Sequence, residues 1–280
     1  MSRLPVRVLA TPAGLLLSLA ACGCESGPTY PKATVAESLR ALLVEDHLDA
    51  SVRFVDHTLG VALTHPGALT QTDASITLGP EFQEVTRLVL TDIHRVALST
   101  DADIRFYVLL LSDPNAPGAY LTMVRYIDDI KRANANMIDS PEMFARTIFE
   151  LSYAGSTPVS LDQYVPRDIT LEDFLSWQLA RRIQYALADG LKPTGVMSVG
   201  RCGGRFQDGE FAFTLDVSPA AGGALDEAAV NQVFTVSTGV VAKVLAGYHF
   251  NQFEAIRLIH PMTGRSLLLP KAQLEVVPHR

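Results

Sequence analysis

RFVDHTLGVAL (residues 53–63) and RFQDGEFAFTL (residues 205–215) decide the reading of this 280-residue chain. In each, residues of strand-forming type alternate with polar or small neighbours on both sides of a tight turn, at Asp56-His57 and at Asp208-Gly209. The second is the stronger hairpin signal, because Gly tolerates the positive φ that two-residue hairpin loops require. An offset of 152 residues superposes Arg53 on Arg205, Phe54 on Phe206, Asp56 on Asp208 and Leu63 on Leu215. The same ungapped offset aligns Phe82 with Phe234, Thr86 with Thr238, Val89 with Val241 and Ile104-Arg105 with Ile256-Arg257.

Working outward, each hairpin is preceded and followed by a helical pattern. Val35, Leu39, Leu42 and Leu43 predict a helix over 34–46, and Phe82, Val85, Val89, Ile93 and Val96 predict a longer one opened by Gly79-Pro80. Apolar runs at 104–111 and 119–127, separated by SDPNAPG, predict a second hairpin. The order recurs as a helix from Leu171, strands around 205–217, a helix from about Leu225 and strands within 255–270. The expected fold class is therefore α+β: two similar helix-hairpin-helix-hairpin units, each an antiparallel sheet with helices on one face. The units span 33–152 and 169–280, joined by a connector at 153–168, with a short helix from Ser140-Pro141 through Leu151.

Strand alternation in 104–111 poses a question. If Ile104, Phe106, Val108 and Leu110 face the helices, then Tyr107, Leu109 and Leu111 occupy the opposite face, joined by Leu121 and Met123. A sheet covered on one side should carry polar residues on the other, so these five must bury against something. Packing against the rest of the chain and an interface with a second protein both satisfy that requirement.

The first residues carry an address. MSRLPVRVLATPAGLLLSLAACGC has Arg3 and Arg7, then an apolar stretch from Val8 to Ala21, and no acid before Glu25. That is a secretory signal pattern, and its apolar part is shorter than the roughly 20 residues a spanning helix needs. Leu19, Ala20, Ala21 and Cys22 resemble the lipobox of bacterial lipoproteins. The resemblance covers about two dozen residues; it implies that residues 1–21 are removed, that Cys22 is lipidated, and that 22–32 form a tether. By analogy with lipoprotein sorting, Gly23 after that cysteine favours the periplasmic side of the outer membrane in a diderm host. The mature chain would carry a formal charge of −9, since residues 1–21 hold two arginines and no acid. Lipid, not charge, would then hold it to an anionic bilayer.

Candidate chemistry is sparse. Cys202 in GRCGGR lies between Arg201 and Arg205, a setting that can favour a thiolate, while the adjacent Gly pair also fits a strand bulge around a packed cysteine. Cys24 and Cys202 leave open a disulfide, two separate thiols, or a second acylation at Cys24. Seven histidines are scattered singly, so no metal site and no cofactor are expected; His57, His65 and Asp56 are the nearest to a ligand set. The acidic balance excludes nucleic acid as a partner. The expectation is a lipid-anchored envelope protein acting as a non-catalytic binding or assembly module, with the membrane and another envelope protein as partners. The alternative is an extracytoplasmic enzyme with its site between the units, using Cys202 or the Asp56-His57 turn.

Overall fold

The computed structural model describes residues 29–72, 75–154, 161, 168–191, 197–220, 222–223 and 225–274. The signal and lipobox segment, with Cys22 and Cys24, lies outside the described residues.

The first half begins with α1 (Val35–Glu45), whose Val35, Leu39 and Leu43 are buried. The hairpin β1 (Ala50–Val55) and β2 (Thr58–Thr64) follows, turning at Asp56 with a φ of 49°. A small hairpin, β3 (Leu69–Gln71) and β4 (Ile76–Leu78), precedes α2 (Phe82–Ala97), which buries Val85, Val89, Ile93 and Val96. Next come β5 (Phe106–Ser112), β6 (Ala119–Tyr126), α3 (Ile127–Asn134), α4 (Ser140–Arg146) and β7 (Ile148–Tyr153). Asp139 caps α4 by accepting from the Glu142 amide, with Pro141 in the first turn, where it forfeits no helical hydrogen bond.

The second half opens with α5 (Leu171–Leu191), then β8 (Met197–Val199), the hairpin β9 (Gly203–Gln207) and β10 (Glu210–Thr214), and β11 (Val217–Pro219). It continues with α6 (Glu227–Tyr248), β12 (Ala255–His260), β13 (Arg265–Pro270) and α7 (Lys271–Leu274). Asp208 and Gly209 hold φ of 50° and 77° at the hairpin turn. By length and composition α6 could cross a membrane, but its buried Val230, Val233, Val241 and Leu245 belong to the second hydrophobic core.

The α+β class holds, but the sheets are mixed, not antiparallel. The first runs β1-β2-β5-β6-β7 with β2 and β5 parallel, and the second runs β13-β12-β10-β9 with β10 and β12 parallel. Parallel neighbours need a crossover, and α2 and α6 supply it by carrying the chain back to the end where β2 and β10 began. The hairpin registers agree under the 152-residue offset: Arg53 pairs Gly60 and Phe54 pairs Leu59, as Arg205 pairs Ala212 and Phe206 pairs Phe211. Across the parallel pairs the offset changes, because Leu59 pairs Tyr107 whereas Phe211 pairs Ile256. The second crossover is thus three residues shorter, and Ile256 takes the place of Tyr107, not of Ile104.

The expectation of one covered face also fails for the first sheet. Tyr107, Leu109, Leu111, Leu121 and Met123 are buried in the first core with α1 and α2. Phe106, Val108 and Leu110, expected under those helices, instead face Ile169 and Phe174 on the opposite side. The five proposed interface residues therefore lie inside the molecule and offer no free surface. Alternation correctly separated the two faces of β5 but carried no information on which face met which helices. The short helix also differs from expectation: it stops at Arg146, and 148–153 add a fifth strand to the first sheet, while most of the expected connector, 155–160 and 162–167, lies outside the described residues.

Candidate functional site

The seam between the first sheet with α3 and α4, and α5 with α6, gathers the buried Asp129, Arg146 and Gln178. At its centre Arg146 donates through Nη1 to Asp129 at 2.7 Å and through Nε to Glu142 at 2.8 Å. The Tyr248 hydroxyl donates to the other Asp129 oxygen at 2.6 Å, and its ring lies 4.5 Å below the Arg146 guanidinium. Gln178 Nε2 donates to the Arg146 carbonyl and the Tyr248 oxygen. Burial lifts the Asp129 carboxyl above its ordinary value, opposed by the hydrogen bonds from Tyr248 and Arg146. Burial and the Asp129 charge together push the Tyr248 phenol far up. Gln178 Oε1 is buried without a partner, and a buried network of this kind fixes geometry more than it adds stability.

On one side of this node lies a polar cleft of about 770 Å³. His57, from the β1-β2 turn, places Nδ1 2.7 Å from Asp168 Oδ2. The His57 amide and the Thr58 hydroxyl both donate to the other Asp168 oxygen, at 3.1 and 2.8 Å. Burial raises the Asp168 carboxyl, but the bonds from His57 and Thr58 prevail and hold it below its ordinary value. His57 Nε2 faces Asp103 at 3.5 Å, and Arg105 grips the same carboxylate oxygen. Tyr126 and Lys131 both donate to Asp128 on the same wall. Chemically, Asp168 orients an imidazole as it would orient a general base. Both ring nitrogens, however, look at carboxylates, which is also the arrangement of a clamp holding residue 168 against the first hairpin.

On the other side, a groove of about 880 Å³ separates the second face of the first sheet from α5 and β9. Thr122, Glu150 and Ser152 line one wall, and Trp177, Gln184 and Tyr185 the other. Trp177 is 39% exposed, so its ring is available to a ligand. Arg201 bridges to Glu150 at 2.6 Å across the two walls. The groove thus offers aromatic faces beside hydrogen-bonding groups, the mixture that fixes a bound molecule's orientation.

Cys202 borders this groove but faces the second core, 6% exposed, with its amide donating to Gln184 Oε1. Burial pushes the thiol above its ordinary value, with hydrogen bonding involving Asp216 a weaker opposing influence. The flanking arginines do not make a thiolate there. The Gly pair is not a bulge, since β9 pairs in unbroken register with β10. Gly204 is needed because a Cβ would collide with the Ser176 carbonyl of α5, whereas Gly203 faces open space. Asp56 and Asp208 are exposed turn residues. His57 and His65 stand at opposite ends of β2, and no group of three His, Cys, Asp or Glu that could hold a metal occurs among the described residues.

Sequence reasoning found His57 but missed Asp168 and Asp103 as its partners, and missed the whole Arg146 node. Asp168 lies 111 positions from His57, and neither its spacing nor its neighbours mark it. No protein-family model, curated protein or solved structure matches the chain.

Proposed function

We propose that this chain is a lipid-anchored envelope lipoprotein whose folded part is a non-catalytic binding or assembly module with its ligand seat between two related halves. The observation that carries the binding reading is the 880 Å³ groove between those halves, lined by Trp177, Tyr185, Gln184 and Glu150. Relatedness of the halves is supported by the hairpin registers and by the parallel central pair spanned by a helix in each. The anchor reading rests on Leu19-Ala20-Ala21-Cys22, placing the module on the periplasmic side of the outer membrane if the host is diderm. Confinement to a surface raises the effective concentration of the module near other envelope components.

Two measurements test this. Cys22→Ala should move the intact fold from the membrane fraction to the soluble one; retention refutes the anchor. Crosslinking the lipidated protein in its own membranes should capture one recurrent envelope partner, lost on Trp177→Ala with Glu150→Ala. Capture unaffected by those changes refutes the groove as the seat.

A second reading, an extracytoplasmic hydrolase in the polar cleft, is favoured by the 2.7 Å His57–Asp168 pair. There His57, oriented by Asp168, would withdraw a proton from water. It requires that His57→Gln and Asp168→Asn abolish a turnover that Trp177→Ala spares.

A further inference from the structure

We infer that a second groove on the seam, lined by Phe144 and Phe149 of the first half and Val240 and Val244 of α6, binds a single-chain anionic amphiphile. Its volume is about 330 Å³, at the small end of ligand cavities. Phe144 stands 66% exposed at its mouth and Tyr185 53% exposed, so the apolar lining continues onto the surface.

Charge selects the occupant. Arg181, Arg182 and Lys243 line the groove, and no carboxylate does among the described residues. Glu142 compensates Arg182 at 3.2 Å. Arg181 spends its hydrogen bond on the neutral Tyr185 hydroxyl, at 2.7 Å, and stacks on that ring, which leaves its charge uncompensated. Lys243 is exposed and makes no hydrogen bond or ion pair among the described residues. Two unspent cations beside an apolar trough, on a chain of formal charge −7, are the complement of a hydrocarbon chain ending in an anion. A neutral apolar ligand would leave the cations unused, and a cationic one would be repelled. A single-tail carboxylate of about ten carbons is a fitting probe for a trough of this size.

The test is calorimetric titration of the mature chain with decanoate below its micelle concentration, with decyltrimethylammonium as the charge control. Saturable one-to-one binding of decanoate alone is expected. Lys243→Glu should weaken it about tenfold, in keeping with the roughly 1.4 kcal/mol that tenfold represents. Ala145→Trp, at an exposed position on the lining, should fill the trough and abolish binding. Trp177→Phe, in the larger groove, should leave decanoate binding unchanged. Far-UV circular dichroism checks that each variant is folded. Equal binding of the cationic amphiphile, non-saturable uptake of decanoate, or full binding by folded Ala145→Trp overturns the assignment.

Discussion

Protonating His94 should weaken the fold well above the pH at which carboxylates titrate. His94 projects from α2 onto β5, its ring centroid 5.7 Å from that of Tyr107 and its Nε2 3.3 Å from the Tyr107 hydroxyl. Burial, helped by the Arg125 charge, lowers its pKa from 6.5 to about 4. Tyr107 beside it is pushed up to about 12 by the same burial, so neither ring welcomes charge. Between these titration points the unfolded chain binds the proton and the folded chain does not, so stability must fall as pH drops through that interval. Each pH unit is worth about 1.4 kcal/mol, giving an upper bound of about 3 kcal/mol and about 2 kcal/mol already lost at pH 5. The perturbation is His94→Gln, which retains a polar partner for Tyr107 but cannot be charged. Urea unfolding followed by circular dichroism at about pH 7.5, 6 and 5 should show wild type losing about 2 kcal/mol more than the variant. Parallel pH dependences of the two proteins would refute the assignment of a buried neutral imidazole.

Three further outcomes follow from the packing. Arg146→Met should destabilise by about 3–5 kcal/mol, since it strands the Asp129 carboxylate without its cation, and adding Asp129→Leu should recover part of the loss on thermal denaturation. Gly204→Ala should cost about 1–3 kcal/mol by forcing α5 away from β9, whereas Gly203→Ala should stay within about 0.5 kcal/mol. Cys202 should react with iodoacetamide at neutral pH slowly in the folded protein and rapidly in denaturant, as mass spectrometry will read; rapid native labelling would restore it as a candidate nucleophile.

Elements governed by local pattern were legible before the structure. The stripes of α1 and α2, the two hairpins and the Asp208-Gly209 turn all follow from period and turn chemistry. What the sequence concealed was pairing at a distance. Nothing in FYVLLLS distinguishes the face that meets Val89 and Ile93 from the face that meets Phe174, because both are apolar. The parallel junction of β2 with β5 depends on where a crossover lands, and the stretch 148–153 resembled a helix end until β6 paired with it. The candidate site suffered most, since its partners come from 57, 103 and 168, or from 129, 146 and 248, and only folding makes them neighbours.

The double burial of β5 has a consequence for synthesis. Phe106, Val108 and Leu110 are buried in one cluster with Ile148, Ile169 and Phe174, and Phe174 follows Leu110 by 64 positions in the chain. A chain that has emerged only through β6 could close its first core yet still present an apolar strip with no cover. Such half-made species are prone to stick to one another, and domains delivered from the N-terminus meet this hazard in order of appearance. The first half is therefore not closed by itself: its second apolar face stays bare until the residues that join it in the third cluster, Phe174 of α5 among them, have arrived.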